Sequence, residues 1–166
     1  MPTVLIVILS AAGLAAVSQA LNVLSYRVLK ARILRRRKWD LNICCGRTDG
    51  GGLNADIVRH ADVPRFVQIG SIDRLPFKDG SFETVLCSHT MEHVENPDAF
   101  FEELRRVGNR VTLVLPPLWD LAGALNVLEH RWIFLTMRKE HHRLPSRIRL
   151  PLSRIVQRRL GQRIHA

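Results

Sequence analysis

The stretch SIDRLPFKDGSFETVLCSHTMEHVENPDAFFEELRRV, residues 71–107, decides the fold of this 166-residue chain. Within it, residues 84–88 form a short apolar run that predicts a β-strand. Asn96-Pro97-Asp98 then begins a segment with apolar residues at helical spacing, which predicts a capped helix of about three turns. Residues 110–115 predict the next strand. A strand, a helix and a strand in this order predict a βαβ unit and hence a parallel sheet.

Three further apolar runs precede this unit, at residues 41–45, 53–57 and 66–69. The chain therefore predicts five strands within a globular domain at residues 39–137. Strands made almost wholly of Val, Leu, Ile and Cys are typical of a sheet covered on both faces. We expect an α/β, Rossmann-like, mainly parallel sheet, with its ligands bound beyond the carboxyl ends of the strands.

Three loops at those strand ends carry polar residues and glycine. They are the glycine-rich residues 46–52, with Asp56 at the end of the next strand, then residues 70–73, and then residues 88–93. Glycines let a ligand approach the backbone, and a carboxylate at a strand end can accept hydrogen bonds from ribose hydroxyls. A plain flexible turn is the alternative interpretation of the glycine-rich loop.

Together these segments resemble the class I S-adenosylmethionine-dependent methyltransferases of the type 11 subgroup. The resemblance is carried by LNICCGRTDGGGLNADI (41–57), by the stretch quoted first, and by RVTLVLPP (110–117), and it covers about half of the chain. It implies S-adenosylmethionine as the cofactor. The segment after Pro117 is short and shows no clear hairpin equivalent to the last two strands of the family. We therefore expect a reduced form of the class I fold.

The resemblance also implies which residues form the site. His89 would face the methyl acceptor and, for a hydroxyl acceptor, is the candidate base because imidazole titrates near neutral pH. The alternative is a histidine at a helix start that bonds to the backbone, and Glu92 and His93 are expected to hold the loop. The cofactor residues would be Asn42, Cys44 and Gly46 at the methionine part, Asp56 at the ribose, Ser71 and Ile72 at the adenine, and Ser88 at the sulfonium.

This chain departs from the family pattern at several of these positions. Asn42 and Cys44 stand where the family usually has Asp and Gly, and Ser71 stands where an acid is common. Only residues 47–52 separate the first two predicted strands, whereas a parallel crossover usually needs a dozen residues or more. Either the usual helix is absent there or the second predicted strand is wrong.

The N-terminal segment predicts a membrane anchor. Residues 3–26 carry no charge and are long enough for a helix to cross a hydrocarbon layer of about 30 Å. Residues 27–38 then carry seven positive charges and no acid. The positive-inside rule predicts a single-pass protein with its N-terminus outside and its domain on the cytoplasmic face. We assign 1–26 as the transmembrane helix and 27–38 as a polybasic juxtamembrane linker; a signal peptide and a buried core helix are the alternatives.

Charge is distributed unevenly along the chain. The whole chain has a net charge of +10, but residues 39–137 hold nine basic and fourteen acidic side chains, a net of −5. The basic flanks therefore predict contact with an anionic lipid leaflet, and nucleic acid is an unlikely partner. Residues 138–166 form a basic, amphipathic C-terminal tail, which lies on the membrane or packs on the domain. The three cysteines match neither a disulfide set nor a metal motif.

The remaining C-terminal segments predict local structure. Residues 118–128 predict an apolar helix or a cover on the substrate side, and residues 132–135 predict a short strand or a membrane-dipping segment. We considered a metal site formed by His130, His141 and His142 with Glu129 and Glu140. Adjacent histidines point in different directions on any regular element, so we predict no metal site.

The sequence thus favours a membrane-anchored methyltransferase that acts on a membrane-associated acceptor such as a lipid, a quinone or a lipid-linked sugar. The alternative is a catalytically inactive, methyltransferase-like subunit or scaffold of a membrane protein complex. Small residues in the apolar helix would permit close packing against partner helices.

Overall fold

A computed structural model describes residues 2–151 and 153–160 of the chain. Its helices are α1 (Pro2–Val23), a π-helical segment (Leu24–Leu29), α2 (Lys30–Arg35), α3 (Pro97–Val107), α4 (Leu121–Ala124) and α5 (Ser153–Leu160). Its strands are β1 (Leu41–Ile43), β2 (Leu53–Asp56), β3 (Phe66–Gln68), β4 (Phe82–Ser88), β5 (Gly108–Val114), β6 (Trp132–Phe134), β7 (Glu140–His141) and β8 (Arg147–Arg149).

The main sheet confirms the five predicted strands and their parallel arrangement. Its order is β3-β2-β1-β4-β5-β7, in which β1 to β5 are parallel and β7 is antiparallel to β5. Strand order reverses between β1 and β4, as in Rossmann-like sheets. Loops that follow these two strands therefore diverge and leave a crevice at the carboxyl edge of the sheet.

Helix α3 lies in the predicted place and covers one face of the sheet. The Asn96 side chain caps its first turn by accepting a hydrogen bond from the Ala99 amide at 3.2 Å, and Pro97 occupies the first turn. Four of its apolar side chains are buried against the strands, where they form one core: Phe100, Phe101, Leu104 and Val107. This amphipathic pattern is why the helix was predictable from the sequence.

The crossover from β1 to β2 contains no helix, so the prediction of the second strand was right. Residues 44–52 lie directly on the sheet instead. A Cβ atom on Gly50 would lie 2.6 Å from the Asn42 Cβ, and one on Gly52 would lie 2.1 Å from the Trp39 carbonyl oxygen. Glycine is therefore needed for close contact with neighbouring backbone and side chains.

The N-terminal helices run without a break from Pro2 to Arg35, through the π-helical segment. By length and composition, Ile6–Arg35 is one helix that could cross a membrane, and none of its most apolar window is buried within the described chain. Such length and composition also occur in core helices and signal sequences. At its far end, Leu34 packs with Trp39, Leu86 and Val114 on the second face of the sheet.

The prediction of a helix over residues 118–128 needs correction. Only the single turn α4 forms there, because Leu121, Leu125 and Leu128 remain exposed and only Ala124 of this turn is buried. After β5, the described chain adds to the main sheet the antiparallel strand β7, which has two residues, and β6 and β8 pair in a separate sheet.

The C-terminal tail is partly packed on the domain. Residues 132–135 confirm the predicted strand as β6, which pairs with β8 in a two-stranded sheet. Arg147 and Arg149 flank the Trp132 ring at 5.2 and 5.4 Å. They also pair with acidic side chains of the domain, and Leu150 is buried. The predicted tail helix begins at Ser153, and residues 161–166 lie outside the described part of the chain.

Candidate functional site

The crevice at the carboxyl edge of the sheet is marked by two residues with left-handed backbone conformation. Cys44 follows β1 directly and has φ +52°, and His89 follows β4 directly and has φ +55°. Side chains other than glycine rarely adopt this conformation, and those that do cluster at functional sites. Both strand ends at the reversal point of the sheet therefore have the kind of backbone conformation that is common at functional sites.

Asp56 fastens the loop after β1 to the end of β2. Its two carboxylate oxygens accept hydrogen bonds from the Gly46 and Ile57 amides, both at 2.8 Å. Each carboxylate oxygen keeps a second lone pair, so hydroxyl groups can still bind there. A Cβ atom built on Gly46 would have no described neighbour within 4 Å beyond the adjoining residues, so the space beside this glycine is open. Gly46 and Asp56 thus combine open space with carboxylate oxygens that can accept further hydrogen bonds.

The Cys44 side chain is half-buried and packs against the edge of the main core cluster. Burial raises the pKa of its thiol well above the usual value. The thiol also lies near Thr90, in the loop after β4, and near Asp56.

Asn42 stabilises the loop of residues 44–52 through its side-chain amide. Its Nδ2 donates to the Thr48 carbonyl and to Asn54 Oδ1, both at 2.9 Å, on the sheet face that the loop covers. The structure therefore separates Asn42 from the open space beside Gly46.

The other three predicted cofactor residues lie at the carboxyl ends of β3 and β4. Ser71 Oγ accepts a hydrogen bond from the Asp73 amide at 3.0 Å, and Ile72 packs partly against the core. Ser88 is buried, and its Oγ has no hydrogen-bond partner among the described residues. A buried hydroxyl without a partner is uncommon, so Ser88 is available to a bound group.

His89 is part of a chain of side-chain contacts rather than bonded to the backbone through its ring. Its Nε2 lies 2.8 Å from Lys139 Nζ, which donates to Ser25 Oγ at 2.8 Å. Its Nδ1 lies 3.1 Å from Glu92 Oε1, and its ring meets the Tyr26 ring edge-on at 5.1 Å between centroids. The N-terminal helix therefore contacts the candidate base directly.

Burial determines the protonation of this group. It lowers the pKa of His89 to about 4 and the pKa of Lys139 to about 8. Burial opposes ionisation of Glu92, but contacts with His89 and two further histidines hold its pKa at about 2. At neutral pH His89 is uncharged and Glu92 is ionised. With a pKa of about 4 the imidazole is a weaker base than the near-neutral titration expected from the sequence.

The sequence analysis missed three members of this group. Lys139 was counted only as part of the basic flank, and Ser25 and Tyr26 only as the end of the apolar helix. One signal was present: Asn22 and Ser25 are polar and three residues apart, so they share one face of that helix. Asn22 Nδ2 indeed donates to Asp120 Oδ1 at 3.0 Å.

A separate cleft of about 540 Å³ lies beside residues 73–79 with Glu103 and Arg106. Arg106 bonds to the Phe77 carbonyl and to Asp79, just before β4 begins. This cleft is therefore nearer the amino ends of the strands, away from the edge where ligands of such sheets bind.

Comparison with known proteins supports the interpretation of the crevice. Residues 52–110 match the family model described as a methyltransferase domain, Methyltransf_11. The match covers a little over a third of the chain and includes Asp56, Ser71, Ile72, Ser88 and His89, but begins after the loop that follows β1. It supports a class I methyltransferase domain and implies S-adenosylmethionine as the cofactor.

Three solved structures illustrate what the chain is similar to, each with low sequence identity and a TM-score below 0.5. A S-adenosylmethionine-dependent methyltransferase from Aquifex aeolicus is 14% identical, with a TM-score of 0.43 over 58% of this chain and 70% of its own. The Haloferax volcanii complex of the Trm112 activator with a putative methyltransferase is 16% identical, with a TM-score of 0.44. The YcgJ protein from Bacillus subtilis is 21% identical, with a TM-score of 0.41. Each of these two alignments covers 60% of this chain and 56% of the other. No curated protein matches the sequence.

Proposed function

We propose that this protein transfers a methyl group from S-adenosylmethionine to an acceptor that resides in or on a membrane, such as a lipid, a quinone or a lipid-linked sugar. The observation that carries the proposal is the contact between the apolar N-terminal helix and the carboxyl edge of the sheet. Asn22 bonds to Asp120, and Ser25 bonds to Lys139 beside His89. The end of the helix thus lies at the crevice.

The surface around this contact supports a position at the bilayer. Helix α1 packs against α4, and Leu121, Leu125, Val127 and Leu128 in and after α4 are all exposed. Contiguous exposed apolar side chains mark sites of interaction with proteins or membranes. If α1 crosses the bilayer, this apolar surface and the crevice both face the membrane surface, so a tethered domain gains a high effective concentration toward lipid substrates.

The chain's own residues then have defined tasks. Bound S-adenosylmethionine would supply a methyl group already activated on its sulfonium. Asp56 and the Gly46 backbone would hold the ribose and methionine ends, Ser71 and Ile72 would border the adenine, and Ser88 would lie near the sulfonium. A hydroxyl acceptor must lose a proton, and His89 Nε2 would take it once the acceptor has displaced Lys139 Nζ, which now lies 2.8 Å from that nitrogen.

A catalytically inactive subunit is the second candidate function. Its support is that both oxygens of Asp56 and the amide of Asn42 are already used to hold the loop after β1. In that case the N-terminal helix would pack against the helices of a membrane partner.

A cofactor titration separates the two functions. Full-length protein in detergent is titrated calorimetrically with S-adenosylmethionine and with S-adenosylhomocysteine. We expect micromolar binding, at least a tenfold loss in Asp56→Ala, and unchanged binding in Asp79→Asn, whose exposed carboxylate lies at the opposite edge of the sheet. Absence of binding up to millimolar ligand would contradict the enzyme and favour the subunit.

If the cofactor binds, the acceptor is sought with trideuteromethyl-labelled cofactor. The protein is reconstituted in vesicles of total membrane lipid, and the lipids are analysed by mass spectrometry. Transfer predicts a lipid species heavier by one labelled methyl group, and we expect His89→Ala to lose it. Label that appears only in the water-soluble fraction would contradict a membrane acceptor.

A further inference from the structure

Glu92, His93 and His130 form a group of metal-binding side chains next to the candidate site. One potential ligand atom from each residue lies within 4.8 Å of the others, and the two imidazole rings meet edge-on at 4.8 Å between centroids. The methyltransferase chemistry proposed above has no use for His93 and His130. We propose that these three side chains bind a divalent transition-metal ion, zinc in the first instance.

The strongest evidence is the state of the buried ligand atoms. Glu92 has no exposed surface, and neither of its carboxylate oxygens makes a well-aligned hydrogen bond within the described chain, although His89 Nδ1 lies 3.1 Å from Oε1. His130 is 5% exposed, and its Nδ1 also lacks a hydrogen-bond partner among the described residues. Buried charged and polar atoms are costly unless they are paired or coordinate a metal. A cation at this point would pair with Glu92 Oε2 and His130 Nδ1, while His89 Nδ1 stays beside Glu92 Oε1.

The ring of His93 is oriented as a metal ligand requires. Its Nδ1 lies 3.0 Å from the Glu129 carbonyl oxygen, which leaves Nε2 for the metal. Metal-binding histidines usually donate their second ring N–H to a carbonyl or carboxylate, because this bond fixes the tautomer and the ring orientation. Glu92 is supported in the same way, since His89 lies beside one of its oxygens and leaves the other for the ion.

The backbone holds the three residues in a fixed frame. His93 closes one turn, with its amide 2.9 Å from the Thr90 carbonyl, and His130 closes another, 2.8 Å from the Asn126 carbonyl. The Arg131 amide then donates to the Glu92 carbonyl at 2.7 Å and joins the two turns. Ligand atoms around zinc lie roughly 3.4 Å apart, since each is about 2.0–2.1 Å from the ion. The ligand atoms, which lie within 4.8 Å of one another, therefore need to approach each other by up to about 1.4 Å, a distance that side-chain rotation can supply.

Two nitrogen ligands and one carboxylate fit zinc, which leaves its fourth position for water. The sequence analysis considered His130 with His141 and His142 and rejected a metal site. The structure instead groups His130 with His93 and Glu92, which lie in the loop after β4, far from it along the chain. Bound zinc would join the loop that carries His89 to the segment before β6. The proposal stands independently of methyl transfer.

The test is direct metal binding to the full-length protein in detergent, first freed of metal with a chelator. Cobalt chloride is added as a spectroscopic probe, zinc chloride is used to displace it, and melting is followed by circular dichroism. We expect one cobalt ion per chain with visible absorption, its displacement by one equivalent of zinc, and a higher melting temperature with zinc.

Matched variants locate the site. His93→Ala and Glu92→Gln should each weaken zinc binding at least tenfold and remove the zinc-dependent rise in melting temperature. His60→Ala, on an exposed loop after β2, should bind zinc as the unmodified chain does. His93 is only partly buried, so circular dichroism of His93→Ala without metal should match that of the unmodified chain. The proposal is overturned if no cobalt absorption develops, or if His93→Ala and Glu92→Gln bind zinc with unchanged affinity.

Discussion

At the scale of single residues, Cys44 is a side chain in a backbone conformation that favours glycine. Its φ is +52°, and its half-buried side chain packs against the main core cluster. The cost is local strain, of order 1–3 kcal/mol for such a residue. Packing against the core offsets part of this strain.

The same burial predicts unreactive thiols. Cys45 and Cys87 have pKa values raised by burial to about 11 and about 12, and the pKa of Cys44 is raised as well. At pH 8 almost no thiolate is present, and thiolate is the reactive form. We expect a disulfide reagent at pH 8 to react at least a hundredfold more slowly with the native protein than with protein denatured in dodecyl sulfate. Rapid reaction of one thiol per chain in the native protein would contradict the burial of these side chains.

The candidate site was partly predictable at this scale. Asp56, Ser88 and His89 were found because each stands directly at a strand end, where chain position alone determines placement. Lys139 and Ser25 were not found, because they reach His89 from distant segments, one much later and one much earlier in the chain. Only packing of the N-terminal helix and of the segment before β7 on the sheet brings them together.

At the scale of elements, the loop of residues 44–52 replaces a crossover helix by polar contacts. Asn54 is central to it: Oδ1 accepts from Asn42 Nδ2 at 2.9 Å and from the Gly50 amide at 3.0 Å. Its Nδ2 donates to Asp49 Oδ1 and to the Pro64 carbonyl, both at 2.8 Å. All four hydrogen-bonding positions of this buried amide are therefore filled.

Removing this amide should be costly. Asn54→Ala leaves the Gly50 amide and the Asn42 side chain buried without their partner, and each such group costs about 1–3 kcal/mol. We expect the free energy of unfolding to fall by at least about 2 kcal/mol. Denaturant titration in mild detergent, followed by circular dichroism, measures the change. Asn109→Ala removes an exposed amide paired with Glu83 and should change stability by less than about 0.5 kcal/mol.

An equal loss of unfolding free energy in both variants would show that the buried Asn54 amide stabilises the protein no more than the exposed Asn109 amide does. An intact Asn54→Ala protein with unchanged stability would contradict the polar network. Either result would leave the short crossover without a physical explanation of its stability.

At the scale of the whole molecule, the contacts of the N-terminal helix determine which edge of the domain would face a membrane. Contacts with the domain run along one side of the helix from Asn22 to Leu34, and the preceding turns project freely. Because the same side contacts α4 and His89, the carboxyl edge of the sheet faces the end of the exposed apolar helix.

This arrangement predicts different depths for two positions. A fluorescent label on Leu125→Cys, beside α4, should be quenched by nitroxide lipids when the protein is reconstituted in vesicles. The same label on Asp79→Cys, an exposed residue before β4, should be quenched several-fold less because it lies toward the opposite edge of the sheet. Cys45 and Cys87 are buried and Cys44 is half-buried, so the unmodified chain is labelled in parallel as the control for native thiols. Equal quenching at both positions would contradict this orientation.

The sequence by itself determined the parallel sheet, the capped helix α3 and the apolar N-terminal helix. Each follows from local patterns: apolar runs bounded by turn residues, Asn96-Pro97 before amphipathic spacing, and a long segment without charge. Local pattern misled at residues 118–128, where an apolar run formed only a single turn because Leu121, Leu125 and Leu128 stay exposed.

Tertiary structure alone decided three features that concern function. It placed the loop after β1 on the sheet without a helix, it brought Ser25, Tyr26 and Lys139 to His89, and it grouped Glu92 and His93 with His130. The common physical reason is sequence distance. Contacts between residues far apart in the sequence leave no periodic trace along the chain, since they depend on how whole elements pack and not on the propensities of their residues.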